Sequence, residues 1–211
     1  MYTPRHFAES DPLVIRDAVR SIRAGHLVTV GPDGPEASYV PMLISDDAIT
    51  VTGHLARANR QWRHATGEVD ALVAWVGPDA YVSPTFYPSK HVDARVVPTW
   101  NYLAVQARGT LTFHEDPAWT RRQVAALTEH HEADRRAPWA VDDAPADYLA
   151  SMLRAVVGFE VRVRSLEGKW KLSQNRSPED VAGVIAGLDP SGPGSSESRV
   201  ARLMRGEPLG T

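Results

Sequence analysis

Two stretches of this chain alternate apolar and polar side chains with a period of two, and only an extended strand keeps such a pattern on fixed faces. Between Trp100 and Phe113, residues Leu103, Val105, Ala107, Leu111 and Phe113 fall on one face, while Tyr102, Ala104, Gln106, Arg108, Thr110 and Thr112 fall on the other. The stretch reads as one long strand or as a bent pair of strands with Gly109 at the bend. Phe159-Glu160-Val161-Arg162-Val163-Arg164 repeats the alternation without interruption.

Shorter strands surround these two. His26–Val30 and Ala37–Leu43 flank Gly31-Pro32-Asp33-Gly34-Pro35 and read as a hairpin, with Pro41 expected at an edge or strand end. Ile49–Gly53 predicts a third strand, Ala71–Val76 a central buried one, and Tyr81–Pro84 a further short one. Helices are expected after Asp11-Pro12, around Gln61–His64, after Asp116-Pro117, over Ala144–Leu153 and after Ser177-Pro178, where a capping side chain followed by proline starts several of them. The helices lie between groups of strands and do not follow every strand. This predicts a mainly β protein with helices (α+β), an antiparallel barrel with peripheral helices, and argues against a doubly wound parallel sheet. Residues 1–188 are expected to form one domain, and 189–211, rich in Ser, Gly and Pro, a flexible C-terminal tail with a short terminal helix carrying Val200, Leu203 and Met204.

Composition narrows the chemistry. The chain has no cysteine, which removes disulfides, thiolate nucleophiles and cysteine-ligated metals. A net charge of -3, with acidic and basic residues spread along the chain, lacks the footprint of extensive phosphate-backbone binding. No window approaches a membrane-spanning helix and no leader is evident, so a cytoplasmic protein without membrane association is expected. Nucleophile elbow, paired-histidine zinc helix, Walker loop and dinucleotide fingerprint are all missing from the sequence. His130-His131-Glu132 suggests a metal cluster, but adjacent residues on a helix point to different faces, so no metal is expected there.

Three stretches offer a ligand site. Gly53–Trp62 lies where a strand hands over to a helix: Arg57 and Asn59 there either cradle an anionic phosphate or only cap and solvate. Tyr81–Lys90 and Val97–Tyr102 set aromatics beside Ser83, Lys90 and Asn101, a mixture that suits a planar heteroaromatic ligand and equally suits core packing for Trp100 and Tyr81. Lys169–Arg176 combines cations with Ser173 and Gln174, fitting a second anion, the edge of a ring system, or a charged surface turn.

Taken together, Met1-Tyr2-Thr3-Pro4-Arg5-His6-Phe7, GHLARANRQW, GPDAYVSP with FYPSK, VPTWNY and KWKLSQNR resemble, in order and spacing, the signature blocks of the PaiB-type negative transcriptional regulators, over nearly the whole chain to about Leu188. That resemblance implies an FMN-binding split barrel, a homodimer with interfacial ligand sites, and binding of nucleic acid by family inference alone. Carried over by residue, Arg57 and Asn59, with Trp62 in the same block, serve the flavin phosphate side. Ser83, Lys90, Trp100 and Asn101 line the ring or ribityl region, and Lys171, Ser173, Gln174 and Arg176 close the site. Arg60 stands where the block more often has proline, and Thr85-Phe86 where the family often has Ser-Trp, which removes an indole donor. The alternative is an enzyme of the same fold: a flavin oxidoreductase, or a haem protein similar to piperazate synthases with His54 as the axial ligand. A barrel without ligand, serving only as an interaction module, is the third reading.

Overall fold

The computed structural model describes residues 1–65, 67–192 and 194–209. Its seven strands are β1 (Ala8–Glu9), β2 (Ala24–Gly31), β3 (Gly34–Ile44), β4 (Thr50–Ala56), β5 (Val69–Val82), β6 (Thr99–His114) and β7 (Val156–Lys171). The helices are α1 (Pro12–Ile22), α2 (Gln61–His64), α3 (Pro117–Glu132), α4 (Ala146–Arg154), α5 (Pro178–Leu188) and α6 (Ser196–Met204). The strands pair in the order β1-β7-β4-β3-β2-β5-β6, and β6 pairs again with β7, so the pairing returns on itself as in a barrel. The expected antiparallel, mainly β architecture is what the chain adopts.

Local chemistry accounts for the elements. Gly31 pairs with Gly34 across the hairpin, and Gly34 takes φ +111°, a conformation that costs a residue without Cβ little. Pro41 closes the β2 register opposite Ala24, and pairing of β3 with β4 begins at Met42. Proline has no N–H for a ladder, so the handover between two partner strands falls where it is tolerated. Asp116 caps α3 by accepting from the N–H groups of Ala118 and Trp119, and Ser177 caps α5 by accepting from that of Asp180.

Several expectations are corrected. β5 is one strand through Val82, not a buried strand followed by a separate short one, and it is buried on one face only: Val73 and Trp75 are fully buried whereas Val76 is exposed. β4 continues to Ala56, which places His54 in a strand and not in the approach to a helix. Of the two readings of Trp100–Phe113 the single long strand is the one formed: Gly109 lies inside a continuous β6, where a Cβ would sit 2.1 Å from the Arg162 carbonyl oxygen, so the glycine serves close strand approach. The segment expected as a flexible tail with a short terminal helix contains that helix, α6, and its Val200 and Ala201 are fully buried with Val184 and Leu188 of α5. Burial of that apolar stripe holds it in place; residues 193, 210 and 211 of the same segment lie outside the described residues.

The chain forms two compact units. One, the terminal unit, comprises Met1–Ile22, Val76–Val105 and Glu167–Thr211; the other, the central unit, comprises Arg23–Trp75 and Gln106–Leu166. Strands β5, β6 and β7 run through both. The core of the central unit includes Leu27, Val51, Leu55, Val73, Trp75, Leu111, Val157, Phe159 and Val161, and that of the terminal unit includes Ile15, Val19, Val82, Leu103 and Val105 with the α5–α6 cluster. Each such side chain contributes roughly 1.5–3 kcal/mol as an upper estimate.

Candidate functional site

The candidate residues fall into two groups, one in each unit. In the central unit, β4 ends at Ala56 and the chain turns into α2, a helix of four residues whose N-cap position is Arg60 without a side-chain cap. A single helical turn offers little macrodipole, so the expected anion site at a helix end has weak backbone support. The side chains of this block bind one another and the neighbouring chain. Arg57 donates from Nε to the Arg154 carbonyl at 2.9 Å, from Nη2 to that of Val156 at 3.3 Å, and from Nη1 to Glu115 Oε2 at 2.8 Å. Its guanidinium also lies 5.5 Å from the Trp62 ring, and the Trp62 indole N–H donates to the Arg57 carbonyl at 2.9 Å. Asn59 accepts from the Gln61 N–H and donates to Ser38 Oγ at 2.7 Å. In this geometry Arg57 ties the turn after β4 to the α4–β7 junction and to Glu115, and Asn59 shapes the turn.

His54 faces α3, and its Nδ1 is 2.9 Å from Gln123 Oε1. In the tautomer that donates from Nδ1 to the glutamine oxygen, Nε2 is the acceptor atom of the ring. Gln123 is buried, and its Nε2 has no hydrogen-bond partner among the described residues.

The terminal-unit group is built around the end of β7. Lys169 and Lys171 are two residues apart on one strand and so share a face. The Lys171 ammonium donates to Thr99 Oγ1 at 2.7 Å and to the Trp100 carbonyl, and it lies 5.8 Å from the Phe7 ring. Burial, then the charges of Lys169 and Arg176, pull its pKa below the ordinary lysine value. Lys169 lies 5.2 Å from the Tyr102 ring, and the Arg176 guanidinium 4.8 Å from the ring of buried Tyr87. Among the described residues none of these three cations is paired with a carboxylate, so the end of β7 carries uncompensated positive charge.

After Lys171 the chain turns through Ser173 at φ +66°. Fully buried Asn101 donates to Ser173 Oγ at 2.9 Å, and Ser173 Oγ lies 3.2 Å from Asn101 Oδ1 as donor in return; Asn101 Nδ2 also lies 3.4 Å from Met204 Sδ. Gln174 closes the turn by accepting from the Leu172 N–H at 2.8 Å and donating to the Trp170 carbonyl at 2.6 Å. The blocks containing Asn101 and the KLSQNR turn therefore meet. Trp100 is half-exposed, with Tyr81 edge-on at 5.8 Å between centroids. Ser83 accepts from the Thr85 N–H and caps a 3₁₀ turn, and Lys90 is exposed in the next such turn. Phe86, in place of the family's usual tryptophan, packs on Gly183 and Gly187 of α5, where a Cβ on Gly187 would lie 2.4 Å from its ring. Lys169, Thr99 and Tyr87 complete this arrangement; they lie within the stretches read from the sequence but were given no role of their own there. Period two along β7 pairs Lys169 with Lys171, but the approach of Thr99 and Tyr87 has no sequence signal.

Residues 1–165 match the model of a family described as "Putative FMN-binding domain". A Bacillus subtilis protein named "Protease synthase and sporulation protein PAI 2" is 33% identical over 190 residues, covering 89% of each chain. The chain belongs to this PaiB-type family of FMN-binding domains. A second relative, an uncharacterised protein of Aspergillus fumigatus, is 31% identical over 91% of this chain and 92% of its own. Among solved structures, the FAD and haem binding protein from Mycobacterium smegmatis superimposes with a TM-score of 0.59 at 16% identity, over 83% of this chain and 78% of that one. The conserved hypothetical protein Rv2991 from Mycobacterium tuberculosis gives 0.58 at 16% identity, over 84% and 94%. At such identities these two establish the split-barrel fold alone. No helix among the described residues is long and apolar enough to cross a membrane, and no group of three or more His, Asp or Glu among them could hold a metal ion.

Proposed function

We propose that this protein binds FMN as a homodimer and acts as a PaiB-like negative regulator whose flavin state or metabolite load controls its output. The observation that carries the reading is the uncompensated cluster of Lys169, Lys171 and Arg176 beside half-exposed Trp100 and Tyr81 in the terminal unit. Desolvated cations without carboxylates favour an anionic ligand, and an aromatic surface beside them favours a planar one; FMN joins both features in one molecule. The donor set therefore fits the flavin. Lys171 and Arg176 are assigned to its anionic groups, Trp100 to its apolar surface, and Asn101, Ser173 and Gln174 to holding the turn that positions them. Ser83 and Lys90 remain assigned to the ring side. Arg57 and Asn59 take a phosphate role only if Arg57 leaves Glu115 and the carbonyls of Arg154 and Val156. When bound, the flavin supplies the redox chemistry, and the protein orients it and sets the charge around it.

The homodimer reading rests on the outward face of β2 and β3, where Val30 and Tyr39 are 78% and 65% exposed and alternate with core-facing residues. Direct operator binding has little electrostatic support at a net charge of -3, so regulation is assigned to a partner or a metabolite. A haem reading has one specific support. Gln123 orients His54 through Nδ1 and leaves Nε2 as the available ligand atom, the arrangement by which second partners orient metal-binding histidines.

The test is the absorbance spectrum of the purified protein after addition of FMN or haemin, with mass in solution recorded on the same sample. Flavin bands retained on a dimer are the expected result. A Soret band lost in His54→Ala would replace this reading with the haem one, and uptake of neither would leave a ligand-free interaction module.

A further inference from the structure

One face of α3 lines a cavity of about 470 Å³ within the central unit, apart from every residue assigned above. Arg121, Ala125, Thr128, Glu129 and Glu132 recur at three-to-four spacing and form one wall; the chain from Pro138 to Asp142 forms the other. That second wall is fastened at both ends. The Trp139 backbone N–H donates to Glu132 Oε2 at 3.1 Å, Arg121 pairs with Asp142, and the Val141 side chain is buried beneath. The volume lies in the range of small-molecule sites.

The charges of the lining do not balance. Arg121 and Asp142 neutralise each other, and Glu132 receives Arg135 at 2.9 Å as well as the Trp139 N–H. Glu129 has no ion pair or hydrogen bond among the described residues. The cavity thus holds one uncommitted charge, which is negative, on walls whose uncharged residues are alanine, proline, valine, Thr128 and the 47% exposed indole of Trp139. An indole face attracts cations, and a carboxylate beside it selects a positively charged head group over a neutral or anionic one. Alanines at 125, 133 and 140 leave room for an apolar body of the ligand.

We propose that this cavity binds a small organic ammonium ion, an amine or quaternary ammonium with an apolar portion, with its cationic head at Glu129 and its body against Trp139. The site is independent of the flavin reading, since it shares no residue with it.

The experiment is a calorimetric titration of the full-length protein at low ionic strength with benzyltrimethylammonium chloride, alongside sodium benzoate as the ring of opposite charge. Saturable binding of the cation with Kd of about 1 mM or tighter is expected, with no uptake of benzoate. Glu129→Gln and Trp139→Ala should each weaken binding at least about tenfold with unchanged thermal melting, because both side chains are exposed. The proposal is overturned if the cation fails to saturate by about 10 mM, if benzoate binds as well as the cation, or if Glu129→Gln binds like the parent protein.

Discussion

Lys171→Met separates a cation kept for a ligand from one kept for the fold. Two of the three ammonium hydrogens of Lys171 are spent on Thr99 Oγ1 and the Trp100 carbonyl, leaving one for a ligand. One charge-assisted hydrogen bond contributes about 2 kcal/mol, so the substitution should weaken FMN binding roughly thirtyfold. The flavin-free protein should behave differently. Methionine loses two bonds to neutral acceptors but relieves the burial of a charge and its repulsion by Lys169 and Arg176. These effects nearly cancel, and the melting temperature should stay within about 3 °C of the parent. The pH dependence has a definite sign. The folded-state pKa of Lys171 lies below its unfolded value, so between the two the unfolded chain binds more protons and stability rises with pH. Below both values the penalty is fully present. FMN affinity should move the opposite way, falling as pH rises through the lowered pKa, and Lys171→Met should lack both trends. Fluorescence titration of FMN and thermal melting across pH 7–10 measure them. FMN affinity within about threefold of the parent would refute the ligand role, and a melting temperature lowered by more than about 8 °C would show that the lysine is structural.

Arg57→Ala removes the bonds that tie the turn after β4 to the α4–β7 junction and should lower stability by about 1–2 kcal/mol; an unchanged thermal melt would release Arg57 for the phosphate role. Gly109→Ala forces a Cβ onto the Arg162 carbonyl oxygen and should cost about 3 kcal/mol, seen as a urea midpoint lower by about 1.5 M; a midpoint equal to the parent's would contradict the close approach of β6 and β7. Val200→Ala should cost about 2 kcal/mol in the same assay, whereas a truly flexible tail would show no change.

What could be read from the sequence follows from how local each signal is. Period-two alternation over Trp100–Phe113 and Phe159–Arg164, proline after a capping residue at α1, α3 and α5, and the glycines of the β2–β3 turn are set within a few residues, and those elements appear where expected. Block order and spacing likewise carried the family, because such blocks outlast changes elsewhere in the chain. Strand length was less legible: β4, β5 and β7 all extend further than their apolar runs, since a ladder can continue through polar residues once its neighbours are in register. After residue 189 the short helix was legible from Val200, Leu203 and Met204, but its packing was not, because the burial of Val200 and Ala201 depends on α5 being there to cover them. The candidate site shows the same division. Sequence brought forward Arg57, Asn101, Lys171 and Arg176 through the stretches they stand in and the family resemblance of those blocks, and every one of them is of a residue type able to meet a flavin. Only the tertiary structure decided which cations face carboxylates: Arg57 meets Glu115 and two carbonyls far along the chain, while among the described residues Lys169, Lys171 and Arg176 pair with no carboxylate, and the charges of Lys169 and Arg176 act on Lys171. A residue's charge is written in the sequence, but whether that charge is compensated depends on what folding places beside it.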